Sequence, residues 1–298
     1  MKIKYIEKNF NPATIATMDQ ANDIITEYAS GGFSLTLRQL YYQFVARGLF
    51  ANEQRQYKRL GEIISNGRLA GLVDWQAIED RTRNLKDVST WSSPASIIQA
   101  CVSSYKEDKW AVQPYYIEVW VEKEALAGVM ERACNDLDIP FFACRGYVSQ
   151  SEMWNAADRL KWKGRGKKVV ILHFGDHDPS GIDMTRDNSD RMSLFGALPT
   201  GLDEVKRIAL NMDQIEHYQP PPDPAKVTDS RYMAYRQVYG ENSWELDALD
   251  PATLIALVRN NVLKYRNESL WKDSLAKEED GRDYLKEVQE QWNANHTD

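Results

Sequence analysis

Residues 167–181, KKVVILHFGDHDPSG, place a run of apolar residues directly before two aspartates. The first half of this stretch has the apolar and β-branched content of a buried strand. Asp176 and Asp178 follow at the point where that strand should end, and Gly175 and Gly181 permit a tight turn around them. Because strand and helix patterns alternate on both sides, we predict an α/β fold with a mainly parallel sheet.

The same alternation extends towards the N-terminus. YYIEVWV (115–121) is predicted as a strand, and a helical stretch and then PFFACRG (140–146) follow it. Ligands of open parallel sheets bind at the carboxyl ends of the strands. Glu122 directly follows the strand 115–121, so we expect it to converge with Asp176 and Asp178 if the two strands are neighbours.

Convergent carboxylates of this kind predict a metal site. They repel one another unless a cation lies among them, and Mg²⁺ prefers oxygen ligands and commonly also binds a phosphate. We therefore expect Glu122, Asp176 and Asp178 to bind Mg²⁺, or Mn²⁺ in its place. A D-x-D pair in a loop is often only a solvated turn. The additional glutamate at a strand end, Glu122, favours a metal site instead. Glu118 is interpreted as a partly exposed structural carboxylate, and Asp183 as a charge at a helix start that could also contact the metal.

The N-terminal third has a helical pattern. Residues 12–29, a segment capped by Thr36 and residues 53–70 are predicted as three short helices with tight turns. This order suggests a helix-turn-helix or winged-helix unit. After about residue 110 the pattern changes to the alternating strands and helices described above, so we place a domain boundary near this point.

Two adjacent tyrosines lie in the second of these helices, within LTLRQLYYQF (35–44). Tyr41 belongs to the apolar face, so we expect it to be buried. Tyr42 lies about 100° further round the helix, one turn from Arg38, so we expect it to be presented beside a cation. A guanidinium and a nearby metal would favour the phenolate and stabilise charge on a phosphate. A surface tyrosine with local hydrogen bonds is an equal alternative for this stretch alone.

The charge of the chain is unevenly distributed. The net charge of −7 argues against binding nucleic acid through bulk electrostatics. Residues 36–86 reverse this balance, with nine Lys/Arg against five Asp/Glu. Such a stretch fits a DNA-facing surface, although it can also be a solvated face. The nine basic residues are Arg38, Arg47, Arg55, Lys58, Arg59, Arg68, Arg81, Arg83 and Lys86.

Other features exclude several classes of protein. Three cysteines without a C-x-x-C pair argue against a disulfide scaffold or structural zinc and favour a cytoplasmic location. The sequence has no apolar run of about 18 residues, so we expect no membrane span. It also lacks the G-x-x-x-x-G-K-[ST] loop of many ATPases.

The order of these motifs resembles a known family. The R-x-x-Y-Y helix, the E-K pair after the first strand and D-x-D-P-x-G are similar to motifs of the topoisomerase VI A subunit. They also resemble the related meiotic double-strand-break transesterases, and the length is closest to short stand-alone bacterial, plasmid or phage versions. RGYVSQ (145–150) and GRLAGL (67–72) are further matches, within a resemblance that covers roughly residues 30–185 and weakens through SWELDAL (243–249). Gln39 departs from the pattern, since the family usually has an acid there.

The resemblance implies three regions. Residues 1–108 would form a winged-helix DNA-binding domain that carries the tyrosine, and residues 109–265 a Toprim metal-binding domain. Residues 266–298 would form a C-terminal helical extension. The part of the chain after the D-x-D motif departs from the family's pattern. This departure affects what the resemblance implies about substrate and partner more than what it implies about the fold.

The resemblance also implies an activity. Tyr42 would attack a phosphate of double-stranded DNA and leave a 5′-phosphotyrosyl end, and Arg38 would help the transition state. Mg²⁺ or Mn²⁺ would be held by Glu122, Asp176 and Asp178. Further DNA contacts are expected from Lys123, Arg47, Arg59 and Arg68.

Partners follow from the same resemblance. The enzyme would be a homodimer in which the tyrosine of one subunit meets the metal site of the other. An ATPase B-like subunit encoded elsewhere would be needed for strand passage. Two alternatives remain open: a Toprim nuclease in which water attacks the phosphate, and a non-catalytic DNA-binding scaffold.

Overall fold

The computed structural model describes residues 2–79, 90–198 and 204–295, and its N-terminal part is mainly helical. The three helices expected from the sequence are confirmed. The second is held at its start by a capping box, in which Gln39 donates its backbone N–H to the Thr36 hydroxyl and the Thr36 N–H donates to the Gln39 side chain. The elements are α1 (Pro12–Ser30), β1 (Leu35–Thr36), α2 (Leu37–Ala46), α3 (Gln54–Leu69), β2 (Ile78–Glu79) and α4 (Pro94–Ser104), and β1 pairs with β2 in parallel.

Helices α1, α2 and α3 enclose an apolar core. Met18, Leu40 and Leu60 are among its fully buried side chains. Tyr41 packs edge to face on Tyr57, with ring centroids 5.5 Å apart, and its hydroxyl accepts the backbone N–H of Glu53 at 2.8 Å. The expected burial of Tyr41 is therefore confirmed.

Alternating strands and helices follow, as the sequence predicts. The elements are β3 (Tyr115–Val121), α5 (Ala127–Asn135), β4 (Phe141–Ala143), α6 (Gln150–Lys163), β5 (Lys168–Phe174), α7 (Pro179–Leu194), β6 (Glu204–Ala209), α8 (Met212–Tyr218), β7 (Asp223–Pro224), α9 (Tyr232–Tyr239), β8 (Asn242–Ser243), α10 (Pro251–Val262) and α11 (Glu268–Asn295).

Strands β3 to β6 form a parallel sheet in the order β4-β3-β5-β6. Successive side chains of a strand point to opposite faces, and both faces of this sheet are covered. Val119 and Leu172 face a core shared with α5 and α10, whereas Trp120 and Ile171 face a core shared with α6 and α7. The predicted α/β fold with a parallel sheet is confirmed, and β3 and β5 are direct neighbours.

The sequence pattern of SWELDAL (243–249) predicts a late strand, but the segment does not form one continuous strand. Asn242–Ser243 pairs antiparallel to β7, and Trp244 forms an isolated antiparallel bridge with His177 before a 3₁₀ helix at Leu246–Ala248. The backbone N–H of Leu246 donates to the Asp176 carboxylate at 2.7 Å, which anchors this segment at the carboxyl edge of the sheet. The prediction fails because side-chain contacts from elsewhere in the chain decide its conformation.

The C-terminal helices complete the fold. Helix α10 begins after its N-cap Asp250, whose side chain accepts the Ala252 N–H at 2.8 Å. Helix α11 is attached to the segment before β3 through Lys109, which lies 2.9 Å from Asp138 and also binds Glu278. Among the described residues, no helix combines the length and apolar content that crossing a bilayer requires.

Candidate functional site

The strand-end acids meet in one cleft at the carboxyl edge of the sheet. Glu122 follows β3, and Asp176 and Asp178 follow the neighbouring β5. All three line a cleft of about 520 Å³, which we call the acidic cleft, and Lys123 and Arg38 also line it. The convergence expected from the order of the strands is therefore present in the structure.

Each of the three acids uses one oxygen to fix the backbone. Glu122 Oε2 accepts the Asp176 N–H at 2.9 Å, and Asp176 Oδ1 accepts the Leu246 N–H. Asp178 caps α7 by accepting the Gly181 N–H at 2.6 Å. The second carboxylate oxygens of Glu122 and Asp178 accept no hydrogen bond from any described residue. These oxygens are available to an added ligand.

Burial leaves the negative charge of these acids poorly compensated. Desolvation raises the pKa of Asp176 to about 8, even though Lys123 lies beside it and opposes the shift. Desolvation also raises the pKa of Glu122, and the charge of Asp178 adds to that effect. A divalent cation would favour the ionised forms, and a donor set made of carboxylate oxygens fits Mg²⁺ or Mn²⁺.

A tighter group of acids lies beside the predicted set. Within the described part of the chain, one group of three acids has ligand atoms within 4.8 Å of one another, namely Asp176, Glu245 and Asp247. We call it the acidic cluster, and it shares only Asp176 with the predicted set. Glu245 and Asp247 were missed because their segment was interpreted as a strand. The E-x-D spacing between apolar residues was the one local signal.

Lys123 lies within the acidic cluster. Its ammonium group is 3.0 Å from Asp176 Oδ2 and 2.9 Å from Asp247 Oδ1, and it also binds Glu245. Only 19% of its side chain is exposed. The residue that was expected to contact DNA is thus engaged by three carboxylates in this state.

Arg38 shares two of these carboxylates with Lys123. Its Nε lies 2.7 Å from Asp247 Oδ2, and its Nη2 lies 2.7 Å from Glu245 Oε2. The same Nη2 donates to the Tyr42 hydroxyl at 3.3 Å. Arg38, Glu245 and Asp247 therefore join the tyrosine to the acidic cluster through one network of charged groups.

Tyr42 lies beside the Arg38 guanidinium as expected, but it is as deeply buried as Tyr41, whereas the sequence predicts that only Tyr41 is buried. The exposed fraction of Tyr42 is 4%, because α2 packs against the 3₁₀ helix at Leu246–Ala248 and the Tyr41 ring covers another side at 5.6 Å. Desolvation, with Asp247 and Glu245, raises the pKa of Tyr42 above its ordinary value. Arg38 opposes this shift without reversing it, since its charge is already paired with both carboxylates.

Tyr42 nevertheless borders open space. It lines a cavity of about 230 Å³ together with Asp223 and Glu245. Arg38 lines this Tyr42 cavity and also the acidic cleft. The phenol and the strand-end acids are therefore separated by the Arg38 side chain and its carboxylate partners.

The other basic residues that were predicted to contact DNA differ in their exposure and in their protein partners. Arg59 is exposed, with its guanidinium near the Phe50 ring. Arg47 is exposed but is bound at 2.9 and 3.0 Å by Glu27. Arg68 donates to the Ile78 carbonyl at 2.6 Å and so braces β2. Three further basic residues of the stretch, Arg81, Arg83 and Lys86, lie outside the described residues.

The two additional acids considered in the sequence have structural partners. Glu118 is fully buried, not partly exposed, because Arg159 binds both of its oxygens at 2.8 and 2.9 Å. Asp183, in the first turns of α7, accepts a hydrogen bond from Tyr147 at 2.7 Å and pairs with Arg231 at 2.8 Å. It is therefore engaged by protein groups in this structure.

Arg207 positions the loop that carries the two aspartates. Its guanidinium donates to the carbonyl oxygens of Asp176 at 2.6 Å, Gly175 at 3.1 Å and Gly181 at 2.9 Å. Its positive charge also lies close to Glu122, Asp176 and Asp178 and offsets part of their negative charge. Nothing in the local sequence of β6 indicated this role, because the contacts come from a loop on the neighbouring strand.

The loop that carries the two aspartates passes so close to residue 181 that this position requires glycine. A Cβ at this position would lie 2.2 Å from the Asp176 carbonyl oxygen and 3.1 Å from Glu122 Oε2. We expect Gly181→Ala to lower the free energy of unfolding by about 1–3 kcal/mol, as overpacking does. Urea unfolding monitored by circular dichroism measures this effect.

Gly61→Ala is the matched control for that substitution. Gly61 also lies in a helix, but its Cβ would meet only Leu37 Cδ2, at 3.2 Å. We expect this variant to be neutral or more stable by up to about 1 kcal/mol, from helix propensity. Equal stability of the two variants would contradict the packing described for the aspartate loop.

Comparison of the chain with models of known protein families and with curated proteins finds no match.

Proposed function

We propose that this chain cleaves DNA by a metal-dependent transesterification in which Tyr42 is the nucleophile. The observation that carries the proposal is the position of Arg38, which lines both the acidic cleft and the Tyr42 cavity. The phenol and the metal-binding candidates therefore lie on either side of the Arg38 side chain. The resemblance to the topoisomerase VI A family supplies the reaction type.

The assignment of a winged helix followed by a Toprim domain belongs to the same proposal. It is supported by the helical N-terminal part and by parallel strands whose carboxyl ends carry Glu122, Asp176 and Asp178. In this assignment the tyrosine helix α2 packs against the segment that follows β8. Within one chain, α2 therefore lies beside the segment that carries Glu245 and Asp247.

The proposed residues have distinct roles in the reaction. Glu122, Asp176 and Asp178 would hold Mg²⁺ or Mn²⁺, which when bound neutralises charge on the scissile phosphate. The Tyr42 oxygen forms a bond to phosphorus as the bond from phosphorus to the 3′ oxygen breaks. The phenol proton passes to solvent water, and the departing 3′ oxygen takes up a proton from solvent water. Arg38 stabilises the charge that develops on the phosphate oxygens.

The buried tyrosine requires a rearrangement before it can react. Arg38 must leave Glu245 and Asp247 for the Tyr42 hydroxyl to reach a phosphate. We include in the proposal that the enzyme acts as a homodimer, with Tyr42 of one subunit entering the acidic cleft of the other. An ATPase partner would then be needed only if strand passage follows cleavage.

A hydrolytic reaction is the second candidate, and the burial of Tyr42 favours it. A phenol with a raised pKa and 4% exposure is a weaker nucleophile than an exposed one. In that reaction water attacks the phosphate at the same acidic cleft, and no protein remains attached to the DNA.

Trapping of a covalent complex tests the proposal. The protein is incubated with Mn²⁺ and double-stranded DNA labelled at its 3′ ends, and the reaction is stopped with detergent. Because the proposed link is to the 5′ end of the break, we expect the 3′ label to migrate with the protein. Cleaved DNA without attached protein would support hydrolysis, and uncut DNA would support a non-catalytic scaffold.

A further inference from the structure

We propose that the Lys123 ammonium group is a built-in counter-ion of the acidic cluster, and that a divalent cation displaces it. The inference rests on the metal binding contained in the proposed function. It adds an exchange step: the entry of the metal releases Lys123 from Asp176, Glu245 and Asp247 into the acidic cleft. Lys123 is a positioning residue in this view, since it acts through the carboxylates that it holds.

The contacts of Lys123 support this role. Its ammonium group binds all three members of the acidic cluster, at 3.0 Å from Asp176 and 2.9 Å from Asp247. The Asp247 side chain has no exposed surface, so its charge needs a cation within the protein. Lys123 and Arg38 supply that charge in this structure.

The position of Lys123 permits exchange. A divalent cation that binds Asp176 would approach the same oxygens and repel the ammonium group, because two cations cannot share ligands at about 3 Å without strong repulsion. Lys123 adjoins Glu122 in the chain and lines the open acidic cleft, so its flexible side chain can move outward without unfolding.

The exchange reconciles two roles for one residue. Lys123 is bound by carboxylates in this structure. Its ammonium group would contact a phosphate in the acidic cleft only after the metal has entered. Binding of the metal and binding of DNA phosphate would therefore be coupled through Lys123. Arg38 shares Glu245 and Asp247, so a divalent cation that takes the place of Lys123 would also compete with Arg38 for these two carboxylates.

Lysine reactivity in the wild-type protein tests the exchange directly. The protein is acetylated briefly with and without Mg²⁺, in the absence of DNA, and modified lysines are quantified by peptide mass spectrometry. We expect modification of Lys123 to rise by about tenfold with Mg²⁺, because an ammonium group released from three close acids becomes accessible. Lys109, whose side chain is 4% exposed and bound by Asp138 and Glu278, should stay protected, and exposed Lys161 should react equally in both conditions.

Affinity for Mn²⁺ alone gives a second readout. Free Mn²⁺ is measured by electron paramagnetic resonance during titration of wild-type protein, Lys123→Met and Arg145→Met. Loss of the competing ammonium group should tighten Mn²⁺ binding by about tenfold. Arg145 lines the same cleft but pairs with Glu124, so its variant should bind Mn²⁺ as the wild type does.

The outcomes separate this inference from the proposed function. If wild-type protein binds Mn²⁺ but Lys123 stays protected in Mg²⁺, the exchange is overturned and the proposed function stands. If wild-type protein binds no Mn²⁺, both are overturned. If Lys123→Met does not fold, the reactivity of Lys123 in the wild type decides the question.

Discussion

Tyr42→Phe should abolish the covalent protein–DNA complex, with a loss of about a thousandfold or more. The substitution removes only the hydroxyl that would attack phosphorus, and it keeps the ring that packs near Tyr41 and Arg38. Phenylalanine cannot accept the 3.3 Å hydrogen bond from Arg38, so the free energy of unfolding should change by no more than about 1 kcal/mol. Detergent trapping with 3′-labelled DNA measures the covalent complex, and urea unfolding verifies the fold.

Tyr41→Phe is the matched control for this variant. The Tyr41 hydroxyl accepts the Glu53 N–H at 2.8 Å and lies 3.2 Å from the Asn52 side chain. Its removal should lower the free energy of unfolding by about 1 kcal/mol and leave covalent trapping intact. Continued DNA cleavage by the Tyr42 variant, with free ends, would mean that water is the nucleophile and that the transesterase proposal is wrong.

The sheet and its strand-end acids could be predicted because their signals are local. An apolar strand followed by a turn places Asp176 at a strand end, and the same holds for Glu122 after β3. Parallel pairing of β3 with β5 then brings the acids together. Each inference needs only a short stretch of sequence and a general rule of sheet topology.

The state of the tyrosine could not be predicted in the same way. A helical wheel gives the angle of Tyr42 relative to Tyr41, but it does not show what covers each side of α2. The covering groups, Glu245 and Asp247, lie more than 200 residues away in the chain, and Arg38 connects to Glu245 across a separation of 207 residues. Contacts of this range depend on how the two parts of the chain pack, which no local pattern encodes.

Asp176→Asn should abolish metal-dependent cleavage and change the pH dependence of stability in the metal-free protein. The amide is nearly the same shape and keeps an oxygen that can accept the Leu246 N–H, so the fold should persist. It cannot become the anion that a divalent cation requires. Cleavage of labelled DNA in Mn²⁺ measures the first effect, and urea unfolding without metal across a pH series measures the second.

The sign of the pH effect follows from the raised pKa of Asp176. Its pKa moves from 3.8 to about 8 on burial, so between about pH 4 and 8 the folded protein retains a proton that the unfolded chain has lost. The contribution of Asp176 to stability is therefore full below about pH 4 and is lost as the pH rises towards 8. The wild type should lose stability relative to Asp176→Asn over this range, and Mg²⁺ should reduce that loss by favouring the ionised form.

Asp183→Asn provides a control whose expected pH effect has the opposite sign. Hydrogen bonds from Tyr147, Arg186 and Arg231 outweigh desolvation and lower the pKa of Asp183, so its contribution to stability is present above its ordinary pKa and is lost as the pH falls. The wild type should therefore gain stability relative to Asp183→Asn as the pH rises through the acid range. Parallel pH profiles for the two variants would show that Asp176 is already ionised in the metal-free protein, and the argument from its raised pKa would fail.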